Sequence, residues 1–189
     1  LFVGTGIGGG IISGGRLLEG CNHTAGELGH MTIVAGGRHC RCPNRGCLEA
    51  YAGGWAIAER AQEAAHADPK AGQRLVTLAG SIQQISAATV TQAYTDRDPL
   101  AHRLVEETAQ YLAAGLVSII NAFNPCLIVL GGGVILGLPE YAAIVEPAVR
   151  ENALPTAVAD LRIVRAALGD KAGVIGAAAL VRDRMEKAM

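Results

Sequence analysis

The sequence predicts an α/β layered fold in which part of the sheet is parallel. Three observations carry this. In the second half, short apolar runs alternate with helical periods, the pattern of helices laid between strands of one sheet. Cys126 to Leu130 is a five-residue apolar run bounded by Pro125 and by Gly131-Gly132-Gly133, and it reads as a strand buried on both faces. The stretch opened by Asp98-Pro99 carries Leu104, Val105, Thr108, Leu112, Leu116, Ile119, Ile120 and Phe123 on one helical face, and is the strongest amphipathic helix of the chain.

The remaining elements follow in order. Phe2-Val3 leads into a glycine cluster, Gly4 to Gly10, and then Ile11-Ile12, a Ser13-Gly14-Gly15 turn and Leu17-Leu18 read as a hairpin. A polar stretch runs to Gly26-Glu27-Leu28-Gly29-His30, and Met31 to Ala35 is expected to be a strand. From Leu48 to about Ala65 the apolar positions Leu48, Tyr51, Ala52, Trp55 and Ala56 have helical spacing, which puts Glu49 in a first turn. Asp68-Pro69 ends that helix, and residues 70 to 95 read as short helices of weak period. The long helix stops between Asn121 and Pro125. A helix from about Glu140 to Asn152, a strand at Leu161 to Val164 and an Ala-rich helix from about Lys171 to Lys187 complete the chain. The chain opens directly on a strand with no turn or cap before it, so further sequence is expected ahead of Leu1.

Composition narrows the function classes. At 189 residues, half of them hydrophobic, the chain can bury a full core. Its 16 basic and 17 acidic residues leave no basic field for nucleic acid or an anionic membrane. Aromatic residues are only 4%, too few for a base-stacking platform. No apolar run reaches the roughly 18 to 20 residues of a spanning helix, and no secretion leader opens the chain, which reads as cytoplasmic.

Function centres on residues 29 to 49. Cys40, Cys42 and Cys47 fall within eight residues, and the Gly, Pro and Asn between them favour turns. Such a knuckle can gather thiolates around a zinc ion, which needs a fourth donor. His39 would have to fold back sharply over its own turn. His30, ten residues before Cys40, closes a tetrahedron without strain and is the favoured ligand. Buried free thiols or a disulfide are the alternatives, although the loop is polar and nothing else points to an oxidising compartment.

Gly4-Thr5-Gly6-Ile7-Gly8-Gly9 matches the dinucleotide pattern, but a strand and a turn follow where that fingerprint needs a helix. It also lacks the Gly-Lys-Ser/Thr ending of a P-loop. The remaining physical reading is a glycine hairpin whose backbone N–H groups approach phosphate oxygens, with the Thr5 hydroxyl beside them; the alternative is a turn with no ligand. Gly131, Gly132 and Gly133, at the carboxyl end of a strand, offer a second close approach or a plain turn. Glu27, His30 and Glu49, drawn together by a metal at the cysteines, could hydrogen-bond several vicinal hydroxyls of a sugar, though each alone also reads as a surface charge.

These residues, in this order, resemble the ROK family of repressors, open reading frames and kinases. The resemblance runs from Val3 to Ile11, through Gly20, to Gly26-Glu27-Leu28-Gly29-His30, then Cys40-x-Cys42 and Gly46-Cys47-Leu48-Glu49. It continues through Asn124-Pro125, Gly131 to Gly133 and Gly173-Val174-Ile175-Gly176-Ala177-Ala178. It implies an actin-like, hexokinase-type, ribonuclease H-like ATPase fold, with residues 1 to 189 as the larger C-terminal lobe of a glucokinase-like or N-acetylmannosamine-kinase-like enzyme using ATP and Mg2+. Gly4, Thr5, Gly6, Gly8 and Gly9 would be a phosphate loop, and Gly131, Gly132 and Gly133 part of the adenosine site. Glu27, His30 and Glu49 would bind sugar hydroxyls, and His30, Cys40, Cys42 and Cys47 a structural zinc. The first phosphate loop and the general-base aspartate would lie upstream of Leu1. A homodimer is usual for the resemblance, and a repressor of the same family, with a DNA-binding helix-turn-helix upstream, is the alternative. Pro43 stands where glycine is usual, so altered turn geometry is expected there.

Overall fold

The computed structural model describes residues 1–138 and 140–188. Strands β1 (Phe2–Val3) and β2 (Ile7–Gly8) pair antiparallel around the first glycines, and β3 (Ile12–Ser13) and β4 (Arg16–Leu17) form the expected hairpin. Gly14 and Gly15, both at positive φ, make its two-residue turn. After a long loop come α1 (Glu49–Ala52), α2 (Gly54–Ala67), α3 (Gln73–Ala79), α4 (Ala87–Thr95) and α5 (Pro99–Phe123). Strand β5 (Leu127–Leu130), α6 (Gly133–Gly137), α7 (Tyr141–Asn152), α8 (Pro155–Val158), β6 (Arg162–Arg165) and α9 (Ala172–Ala188) follow.

The longest element has local causes at both ends. The Asp98 carboxylate accepts the Ala101 N–H at 2.9 Å, and Pro99 starts the first turn of α5 with its φ already set. Asn124, at φ 44°, ends the helix in the left-handed conformation. Between these caps Leu104, Leu112, Leu116 and Ile120 form a buried stripe, against which α7, α4 and α2 pack.

Strands β5 and β6 pair in parallel, with Leu127 opposite Arg162 and Leu130 opposite Arg165. On the other side β1 runs parallel to β5: the Val3 N–H donates to the Gly131 carbonyl at 2.7 Å, and the Gly131 N–H to the Leu1 carbonyl at 2.9 Å. The first glycine turn and Gly131 to Gly133 therefore leave the sheet at the carboxyl ends of adjacent parallel strands.

Three expectations need correction. β5 is not buried on both faces: Ile128 and Leu130 point into the core, while Leu127 and Val129 are 43% and 42% exposed, because the core helices cover one side only. Met31 to Ala35 is not a strand. Both Ile33 and Val34 donate to the Gly46 carbonyl, at 2.8 and 3.2 Å, so the chain curls around that oxygen, and only Thr32 makes a single bridge to Cys47. The helix expected from Leu48 is broken at the extended Gly53, for a reason that belongs to the site below.

Helix α9 stands largely exposed, with Val174 and Met185 open to solvent. Among the described residues no helix is long and apolar enough to cross a membrane.

Gly132 makes the contact between β1 and β5 possible. It sits at φ 94°, and a Cβ there would lie 2.3 Å from the Val3 carbonyl oxygen. Gly132→Ala is expected to destabilise the fold by more than about 2 kcal/mol through left-handed strain and strand displacement. Thermal unfolding checks this, and an unchanged midpoint would show that β1 does not depend on this approach.

Candidate functional site

The cysteine loop is closed by its own backbone. Cys40 N–H donates to the Asn44 carbonyl at 3.1 Å and Gly46 N–H to the Arg38 carbonyl at 2.7 Å, which leaves Pro43 exposed at the tip. Gly46, at φ 80°, has no room for a side chain, since a Cβ would meet the Val34 carbonyl oxygen. A short 3-10 turn, Leu28–His30, presents His30 to this loop.

The result is one cluster: His30, Cys40, Cys42 and Cys47 each offer a donor atom, all within 4.8 Å of one another. Cys42 Sγ lies 3.6 Å from Cys47 Sγ, and Cys40 Sγ lies 3.6 Å from His30 Nδ1. Two sulfurs bound at 2.3 Å to a tetrahedral zinc stand about 3.8 Å apart, so the set fits such an ion. All five cysteines are free, and 3.6 Å is far beyond a disulfide bond. His39 is turned away and meets Arg45 instead. Burial, reinforced by the neighbouring thiols, pushes the Cys47 thiol up to about 12, whereas the backbone at Asn44 pulls Cys42 down.

The loop is fastened to α1 and α2. The Arg38 guanidinium forks onto Glu63 at 2.9 and 2.6 Å and holds its carboxyl below the usual range. The Arg38 backbone N–H donates to the Tyr51 hydroxyl at 2.8 Å. Arg41, between two of the thiols, lies over the Trp55 ring at 4.7 Å.

His30 has two faces. Its Nδ1 points to Cys40, and its Nε2 lies 4.0 Å from a carboxylate oxygen of the exposed Glu27. Glu49 occupies the first turn of α1, as expected, and its carboxylate is already engaged. One oxygen accepts the Ile7 N–H at 2.7 Å and the other the Trp55 indole N–H at 3.0 Å.

The helix break now has its cause. Gly54 and Trp55, the first residues of α2, donate their N–H groups to the Gly4 and Thr5 carbonyls at 2.9 and 3.0 Å. A continuous helix would spend these donors internally; the break at Gly53 frees them for the glycine turn. Beside this junction lies an open cavity of about 820 Å³, lined by Gly4, Thr5, Gly54, Trp55, Thr91 and Gly133 among others. Both glycine stretches thus reach one cavity. Gly6 lies under Glu49, Gly9 packs against Gly26 and Leu28, Gly8 is exposed in β2, and Gly131 and Gly132 pack against neighbouring strands.

Comparison with known families matches residues 1–184 to the ROK family. The chain belongs to the ROK family. The glucokinase of Streptomyces coelicolor is 35% identical over 193 residues, covering 97% of this chain and 58% of that protein. The crystal structure of a ROK family glucokinase from Streptomyces griseus in complex with glucose and AMPPNP superposes with a TM-score of 0.84 at 34% identity, covering 96% of this chain and 59% of that one. The DNA-binding transcriptional dual regulator NagC of Escherichia coli is 34% identical over 181 residues, 95% of this chain and 42% of that protein. The chain therefore spans under three-fifths of the length of these relatives. The α/β expectation and the actin-like, hexokinase-type fold hold for this ROK chain.

Several residues of the site were not singled out from the sequence. Trp55 read only as an apolar helix position, and Tyr51 likewise, although each carries a polar handle that ends on the site. Arg38 gave no signal, since its partner Glu63 lies 25 residues away.

Tyr51→Phe removes only the hydroxyl that takes the Arg38 N–H. It is expected to cost about 1 to 2 kcal/mol, the size of an unsatisfied part-buried donor, and to lower the thermal midpoint by several degrees. An unchanged midpoint would mean that the knuckle does not depend on this fastening.

Proposed function

We propose that this chain is the sugar- and zinc-binding part of an ATP- and Mg2+-dependent kinase that phosphorylates a hexose or N-acetylhexosamine. The observation that carries it is the meeting of the Gly4-Thr5 turn and Gly133 on one cavity of about 820 Å³, large enough for a nucleotide. The similarity to glucokinases supports the same reading.

Gly4, Thr5 and Gly6 serve the phosphates of ATP, with Gly8 and Gly9 holding the turn, and Gly131 to Gly133 border the adenosine. Glu27, His30 and Glu49 take sugar hydroxyls. The set His30, Cys40, Cys42 and Cys47 holds zinc, with four protein donors and no position open for catalysis. Because Nδ1 of His30 belongs to the metal set and Nε2 faces Glu27, the ion fixes the orientation of a sugar contact. The general base, an aspartate, is expected in sequence preceding Leu1.

The 34% identity to NagC favours one second reading, a sugar-responsive repressor of the family. A phosphorylation assay of the full-length protein across a panel of hexoses and N-acetylhexosamines separates the two. Turnover of at least one sugar with ATP is expected, and sugar binding without turnover of any would sink the kinase reading.

Zinc and sugar are coupled in this proposal. Cys42→Ser is expected to lower bound zinc well below one per chain and to raise the sugar dissociation constant about tenfold, the scale seen when a group orienting a ligand is lost. Metal analysis and calorimetry check this together. Unchanged sugar affinity in a zinc-depleted variant would refute the coupling.

A further inference from the structure

Glu49 lies where two functions meet. Its Oε2 accepts the Ile7 N–H at 2.7 Å, a charge-assisted bond onto the end of the glycine turn. The close fit is visible at Gly6, where a Cβ would stand 2.4 Å from that same oxygen. Its Oε1 accepts the Trp55 indole N–H at 3.0 Å, so neither oxygen can move without releasing a donor.

The turn is held from its other side as well. Its Gly4 and Thr5 carbonyls take the N–H groups of Gly54 and Trp55, and Gly4 N–H donates to the Gly6 carbonyl at 2.9 Å. Among the described residues this leaves the N–H groups of Thr5 and Gly6 as the turn's unengaged donors. Those are the groups a phosphate could use, and their direction depends on where Ile7 is pinned.

Trp55 completes the arrangement. The side chain is buried, it borders the cavity, its indole fixes Glu49, and its ring carries the Arg41 guanidinium that comes from between Cys40 and Cys42. One ring therefore touches the metal loop, the carboxylate and the cavity.

We propose that Glu49, oriented by Trp55, is a positioning residue for the phosphate-binding turn, in addition to its place on the sugar side. The carboxylate holds the Gly4 to Ile7 backbone in the shape that takes nucleotide phosphates, whether or not a sugar is present. This rests on the kinase reading above.

The test is nucleotide binding without sugar. Calorimetry with a non-hydrolysable ATP analogue and Mg2+ is run on the full-length protein, its Glu49→Gln variant and its Trp55→Phe variant. Glutamine must turn an NH2 towards one of the two N–H donors, and phenylalanine removes the indole donor while keeping an aromatic ring. Both variants are expected to bind nucleotide about tenfold more weakly, the scale of one hydrogen bond to a charged group. Zinc content is expected to stay at the parent's level in both, which a general loosening of the knuckle would not allow. Glu49→Gln, a half-buried isosteric change, keeps the test open should Trp55→Phe fail to fold. Parent-like nucleotide binding in the folded variants, with only sugar affinity reduced, overturns the clamp and leaves the kinase reading standing. A parent protein that binds no nucleotide and phosphorylates no sugar overturns the kinase reading, and the clamp with it.

Discussion

The fold depends on two backbone hydrogen bonds, from the first N–H groups of α2 to the Gly4 and Thr5 carbonyls. A helix N-terminus carries unsatisfied donors that must find partners, and here the partners come from a turn fifty residues earlier in the chain. To present them the helix must stop and restart, so α1 and α2 meet at the extended Gly53 instead of merging. Everything near the cavity inherits its place from that junction. The glycine turn is drawn onto the helices, Glu49 is brought under Ile7, and Trp55 is left between the carboxylate and the cysteine loop.

The parts of the fold that could be read from sequence are those whose causes are local. The α5 helix is legible because its cap, its proline and its apolar period all lie within its own residues. The Gly14-Gly15 hairpin is legible for the same reason. Met31 to Ala35 misleads because its β-prone composition is overruled by a distant acceptor, the Gly46 carbonyl, which two successive N–H groups share. β5 misleads differently. A run of five apolar residues reports that a strand has hydrophobic faces, not that both of them are covered within this chain.

The same division runs through the site. Three cysteines in eight residues announce themselves by spacing, and the choice of His30 over His39 follows from chain geometry, since adjacent residues cannot easily serve one tetrahedron. The glycines are less legible. Five at the start of the chain carry one composition signal, yet in space they divide into lining, exposed and packing positions, because only the pairing of β1 with β2 and β5 decides which of them face the cavity. The support around the knuckle was invisible for a plainer reason. Tyr51, Trp55 and Arg38 act through hydroxyl, indole and guanidinium groups whose partners are set by tertiary contact.

Behind this support lies a charge in the core. Arg60, on α2, is buried. It donates to the Tyr51 carbonyl at 3.1 Å and the Thr108 hydroxyl at 3.0 Å, pairs with Glu107, and lies over the Tyr111 ring at 5.5 Å. A guanidinium taken out of water is tolerable only when its donors are met, and removing one partner of such a set commonly costs about 3 to 5 kcal/mol. An apolar residue in its place could fill the space but would not select a geometry. Arg60 does select one, since its acceptors lie on α1 and α5, and it can satisfy them together only at one rotation and depth of α2 against both. Tyr51 is the shared member: its carbonyl takes Arg60, its ring meets Tyr111 at 4.3 Å, and its hydroxyl takes the backbone of Arg38 in the cysteine loop. The buried arginine therefore acts at a distance, fixing the helix whose two leading N–H groups hold the glycine turn and the tyrosine that holds the knuckle.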